Sequence, residues 1–157
     1  MNQYRISKYN PSFRIDGKYQ QPEWTSFSDI GKSYAGEVFT LSAYEKVESH
    51  YIDFACAIAS DSSSAIFQIY NVESTNPACR WRTLSVVTVD DLADLVRDCL
   101  REECWCMISA NDFFLHFGYD YYMYIGCSQD FDFVSRLAEN NDLFCEIMDS
   151  PYGWPDE

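Results

Sequence analysis

Two histidines, seven cysteines and several neighbouring carboxylates are the residues of this 157-residue chain whose types could do chemistry. A catalytic nucleophile needs a base within hydrogen-bonding reach, and only His50 and His116 offer an imidazole. Neither stands in a local signature. The chain has no GxSxG elbow, no glycine-rich phosphate loop and no HExxH pair. His116 lies in "FFLHFGYDYYMYIG", Phe113 to Gly126, among many aromatic rings and a single aspartate, Asp120. Strand alternation sets His116 opposite Phe113, Leu115 and Phe117 and alongside Phe114, the setting of a hydrogen-bonded structural histidine. No catalytic residue is expected.

The cysteines are Cys56, Cys79, Cys99, Cys104, Cys106, Cys127 and Cys145. They fall mostly inside regular apolar patterns, where a free cysteine behaves as a small buried hydrophobe in a reducing compartment. "CWC" at 104–106 has one intervening residue, whereas structural zinc pairs have two to four and a second pair. On a strand its thiols share one face, with Trp105 opposite. Among the acids, Glu102–Glu103, Asp130–Asp132 and Asp90–Asp91 are neighbours in sequence, which does not place them across a glycosidase cleft. "QDFDF" at 129–133 supplies two acids of a calcium loop and no glycine in the required place. No metal and no cofactor is expected.

The elements that must position these residues follow from periodicity and punctuation. Residues 3–8 alternate as a strand. Residues 10–36, with three glycines and two prolines, read as a long irregular region pinned to the core by Phe13, Trp24, Phe27 and Ile30, with one short helical turn over 26–31 ended by Gly31. Tyr44, Val47, Tyr51, Phe54, Ala55 and Ile58 predict an amphipathic helix over about 43–59, opened by a Ser42/Glu45 capping box, with Glu45, Glu48 and Asp53 off its apolar stripe. A strand over 65–72 follows, then a loop and a short strand at 84–87. "TVDD" opens a second helix at Thr88, with Leu92, Leu95, Val96, Cys99 and Leu100 inward. Strands at 104–109, 113–117 and 121–126 form a meander, with Gly118 at a positive φ in a hairpin or bulge. A third helix over 130–139 turns Phe131, Val134 and Leu137 inward, and a strand over 143–148 ends the order. This is one α+β domain, residues 1–157, with a mainly antiparallel sheet of five to six strands and about three helices on one face.

Charge and aromatic content point to contact rather than catalysis. The net charge is −14. Residues 1–101 carry a balance of −3. Residues 102–157 carry −11, with Arg136 their one basic side chain. Such a field repels nucleic acid and anionic lipid and attracts a basic protein. Tyr19, Trp24, Trp81, Tyr119, Tyr152 and Trp154 fall in predicted loops or turns, and Tyr and Trp are common interface anchors. Asp120, between two tyrosines at a turn, can accept a bidentate bond from a partner arginine. No apolar run approaches the ~20 residues of a membrane helix. The amino-terminal "MNQYRISKYNP" lacks a signal core, so the expected location is cytoplasmic.

"YRISKYNP" at the start, "EWTSFSDIG" at 23–31, "YEKVESHYI" at 44–52 and "HFGYDYYMYIG" at 116–126 together resemble a family of small acidic bacterial proteins, the immunity proteins of contact-dependent growth inhibition. The resemblance runs from residue 4 to about residue 152. It implies a protein that acts by binding the toxic domain of a secreted effector, often a nuclease, and blocking it in the producing cell. It assigns no contact residues. From charge and aromatics alone, the expected partner-binding residues are Tyr119, Asp120, Asp130, Asp132, Glu102 and Glu103. The alternative is a small-ligand or hydrolytic domain with a pocket around His116 and Asp120.

Overall fold

The computed structural model describes residues 1–153. Trp154, an expected interface anchor, lies outside them. The elements in chain order are β1 (Asn2–Ser7), β2 (Arg14–Ile15), β3 (Lys18–Tyr19), β4 (Ser33–Tyr34), β5 (Glu37–Val38), α1 (Leu41–Ser60), β6 (Ile66–Glu73), β7 (Val86–Thr88), α2 (Val89–Leu100), β8 (Trp105–Ala110), β9 (Phe113–Phe117), β10 (Met123–Cys127), α3 (Phe131–Asn140) and β11 (Phe144–Ile147). The class is α+β, as the pattern predicts. The main sheet has seven strands rather than five to six, in the order β11-β1-β10-β9-β8-β6-β7, with every pair antiparallel. The seventh strand is the three-residue edge β7, the short strand expected at 84–87, which the count of five to six left out.

The sheet's two faces differ. Tyr4, Ile6, Phe67, Ile69, Cys106, Ile108, Leu115, Met123 and Ile125 point to one face and join the buried residues of all three helices in a single core. The opposite face carries Met107, Phe114, His116, Tyr124 and Gly126 on neighbouring strands. Its ends are covered by the carboxy-terminal segment and by Arg14, which bonds Tyr122 and Glu146. A Cβ at Gly126 would overlap the ring of Phe114, its cross-strand partner. Tyr124 on this face is buried as well.

Three local expectations are corrected. The Ser42/Glu45 capping box does not form. Phe39 stacks on Trp24 at 4.5 Å, which fixes the chain's entry, and the following Thr40 becomes the N-cap, its Oγ1 accepting from Ala43 N at 3.2 Å. Glu48 is not off the stripe: it is 4 % exposed, because Arg101 at the end of α2 donates to both its oxygens at 2.7 and 2.8 Å. Phe131 is not inward; it overhangs Tyr4 from the first turn of α3 and is 38 % exposed, while Val134 and Ala138 carry the buried stripe. The Thr88/Asp91 box on α2 and its buried residues form as expected.

Residues 10–36 are more ordered than an irregular region. Asp16-Gly17 and Ala35-Gly36 each join a two-residue strand pair, with all four residues at φ between 49 and 83°. These are two-residue hairpins of the kind that needs two left-handed residues. Residues Phe27–Asp29 form the expected helical turn before Gly31. Trp24 is buried and Phe27 and Ile30 pack on the core, but Phe13 is exposed. Lys8 helps pin the region. Its ammonium lies 4.2 and 4.1 Å from the ring centres of Tyr9 and Trp24 and 2.5 Å from Glu23.

Candidate functional site

The β9–β10 connection is a turn held by several hydrogen bonds. Gly118 N donates to the Tyr122 carbonyl at 2.8 Å, closing a loop of Tyr119, Asp120 and Tyr121. Gly118 does not take a positive φ; Asp120 and Tyr121 do, at 60° and 66°. A Cβ at 118 would lie 3.0 Å from Tyr124 Cε2 and 3.3 Å from Tyr122 Cβ, close enough that those side chains would have to give by a few tenths of an ångström. A left-handed tyrosine is uncommon and costs about 1 kcal/mol. Hydroxyls hold it in place. Tyr9 Oη donates to the Asp120 carbonyl at 2.6 Å, Tyr51 Oη to the Tyr121 carbonyl at 2.8 Å, and Tyr121 Oη to Tyr44 Oη at 2.7 Å. The Tyr121 ring meets Trp24, Tyr44 and Tyr51 edge-on. With its backbone so anchored, the turn presents Tyr119 at 83 % exposure and the exposed Asp120 to solvent.

That turn forms one wall of a groove of about 850 Å3. Thr25 and Ser26 contribute from the amino-terminal region, Glu73 to Thr75 from the end of β6, and Glu102 from the turn after α2. Cys99, Cys104 and Trp105 also line it, with Tyr152 beyond them. Glu73 reaches the groove through a bulge. Tyr70 pairs with Met107 and Glu73 with Trp105, so β6 spends one extra residue, with Asn71 at φ 50°. Without that residue Val72 would stand beside Trp105. Glu73, Glu102 and Asp120 are exposed acids, and no Lys, Arg or His lines the groove among the described residues. Acid and aromatic surface together suit a cation: carboxylates supply bidentate acceptors and the rings supply faces.

The structure therefore brings together three of the expected contact residues, Tyr119, Asp120 and Glu102. Glu103 sits at the rim, its Oε2 accepting from Asn76 at 2.8 Å. Asp130 and Asp132 do not belong to this surface. β10 runs from the turn toward α3, so they lie at the sheet's opposite end, about 17 Å away by strand rise alone. Asp130 is the N-cap of α3, its Oδ1 accepting from Phe133 N at 2.9 Å. Of the other loop aromatics, Trp81 and Trp24 are buried core residues. Glu73 and Trp105 are groove residues that sequence reasoning did not single out; they face it because of a bulge and a strand register, neither of which a single sequence marks.

His116 is not among the residues that line the groove beside Asp120. It is 1 % exposed and stacks on Phe114 at 4.4 Å. Its Nδ1 shares a 2.8 Å hydrogen bond with Ser150 Oγ, and its Nε2 is enclosed without a partner among the described residues. Burial pushes its pKa down to about 4, so the ring is neutral. Ser150 N also donates to Gln3 Oε1 at 2.8 Å, and Tyr152 packs edge-on to His116 and Tyr124 and tilted against Trp105. The histidine thus anchors the segment that carries one groove residue, Tyr152.

No helix among the described residues is long and apolar enough to cross a membrane. Compared with protein-family models, with curated proteins and with solved structures, the chain matches none.

Proposed function

We propose that this protein is a cytoplasmic immunity protein that binds and neutralises a cognate, basic nuclease toxin domain by covering its active or substrate-binding surface. The observation that carries the reading is the groove: three exposed carboxylates and several aromatic rings, no basic lining residue among the described residues, and a protruding Tyr119 on a clamped turn. A nuclease cleft lined with arginine and lysine is its electrostatic complement, with carboxylates standing where phosphates would bind and rings where bases would stack. A fixed turn also lowers the ordering cost of association. On this reading Tyr119, Asp120 and Glu102 are central contacts, Glu103 is a rim contact, and Asp130 and Asp132 act only through the long-range field.

The test is a calorimetric titration with the carboxy-terminal domain of a large secreted protein encoded beside this gene. Saturable one-to-one binding that protects the nuclease substrate is expected. Asp120→Lys with Glu102→Lys is expected to weaken binding at least about tenfold. Absence of binding to any such domain, or affinity indifferent to these reversals, would overturn the reading.

A further inference from the structure

Four of the seven cysteines converge beneath the groove. Cys99 comes from the last turn of α2, Cys104 from the residue just before β8, Cys106 from the start of β8, and Cys79 from the loop after β6. Cys99 Sγ lies 3.8 Å from Cys104 Sγ and 3.6 Å from Cys106 Sγ, and Cys79 is a further hydrogen-bonding neighbour of Cys104. Cys99, Cys104 and Cys106 are buried and Cys79 is half-buried. Cys99 and Cys104 line the groove, which gives a small solute a route to them.

We propose that Cys104 is a peroxide-reactive thiol at the groove floor and that Cys99 resolves its oxidised form as an intramolecular disulfide. The neighbours favour Cys104 as the attacking group. The neighbouring thiols of Cys106 and Cys99 hold its pKa well below the usual thiol range, and Cys104 in turn raises those of Cys99 and Cys106. The thiolate is the nucleophilic form. It attacks the terminal oxygen of a hydroperoxide; the S–O bond forms, the O–O bond breaks, and the departing oxygen takes a proton and leaves as water or an alcohol. The Cys99 sulfur then attacks the sulfenic sulfur. The S–S bond forms, the S–O bond breaks, and hydroxide leaves with the Cys99 proton as water. Two thiols supply the two electrons that the peroxide accepts.

Cys99 is the resolving partner on geometry. Closing 3.8 Å to a disulfide length of about 2.05 Å needs a movement of under about 2 Å in the turn between α2 and β8. Cys106 is two residues from Cys104 along an extended chain, so their Cβ atoms stand about 6.6 Å apart, beyond the usual disulfide span.

The experiment treats the purified, reduced protein with hydrogen peroxide and follows intact mass, peptide maps and labelling by a sulfenic-acid reagent. The wild type is expected to lose two hydrogen masses per chain, with the bond mapped to Cys99–Cys104. Cys99→Ser is expected to label at Cys104 and form no disulfide, and Cys104→Ser to do neither. Wild-type alkylation by iodoacetamide at about pH 6, where an ordinary thiol is almost wholly protonated, needs no variant. Cys104 should react at least about tenfold faster than the half-buried Cys56, whose pKa is raised by burial. A disulfide mapped to another pair, oxidation spread evenly over the cysteines, or Cys104 alkylating no faster than Cys56 would overturn the proposal.

Discussion

His116 looks like chemistry in the sequence and is architecture in the fold. Its ordinary pKa of 6.5 falls to about 4 because burial penalises the charged ring. Below pH 6.5 the unfolded chain takes up a proton that the folded one refuses until about pH 4, so stability is fully present above 6.5 and is lost as pH falls between the two values. The loss from this residue is about 3 kcal/mol. Urea unfolding across that range should show the decline, and His116→Gln should make it shallower, so that the wild-type-minus-variant difference falls as pH drops from 6.5 to about 4. A slope unchanged by the substitution would assign the decline to carboxylates instead. Alternation already placed His116 beside Phe114 and away from Phe113 and Leu115, because strand period is written in neighbours. Its bond to Ser150 was not legible: the two are 34 positions apart and meet only because the carboxy-terminal segment folds back over the sheet.

At the scale of elements, the β9–β10 turn depends on hydroxyls that come from far along the chain. Tyr51 Oη donates to Tyr121 O and accepts from Lys8 N at 2.7 Å, tying α1, the end of β1 and the turn together. Tyr51→Phe keeps the ring and strands both groups, at a cost of about 2 kcal/mol. Thermal unfolding should register that loss, and amide exchange should quicken in residues 118–122 before it quickens in β9. A second joint is Glu48. With Arg101 bonded to both oxygens and Arg97 at 3.7 Å, it links α1 to α2 inside the protein. Glu48→Ala should cost about 3 kcal/mol, since it leaves Arg101 partly buried without its acceptor; chemical denaturation measures it. Helix periodicity predicted α1 and α2 well but not this pair, because a 3.6-residue period sorts polar from apolar and cannot see a partner on another helix. The two small hairpins show the reverse case. Asp16-Gly17 is a strong hairpin dipeptide, and its flanks, two residues each, are too short to read as strands. The short runs Arg14–Ile15 and Lys18–Tyr19 conceal a signal that the dipeptide carries.

For the whole molecule, charge that clusters in the chain does not cluster in space. Residues 102–157 hold a balance of −11, yet the fold divides their acids. Glu102, Glu103 and Asp120 sit at the groove end, and Asp130 and Asp132 at the far end. Glu146 is consumed by Arg5 at 2.9 Å and Arg14 at 3.4 Å. Asp112 accepts from Ser62, Ser63 and Ser64, and the bonds from Ser63 and then Ser62 pull its pKa down to about 2. The antiparallel register decides this, since successive turns of a meander alternate between the sheet's ends, and sequence distance from Asp120 to Asp130 hides a full strand length. The two acidic groups then make separable kinetic predictions for a basic partner. Exposed charges away from the contact steer the encounter, so Asp130→Lys with Asp132→Lys should slow association severalfold at low salt and leave dissociation unchanged. Charges inside the contact are desolvated on binding, so Asp120→Lys with Glu102→Lys should chiefly speed dissociation. Stopped-flow association at two ionic strengths, with dissociation followed by competition, separates the two. If the far-end reversals sped dissociation as much as the groove reversals did, the contact surface would have to extend to α3, and the groove would not be its centre.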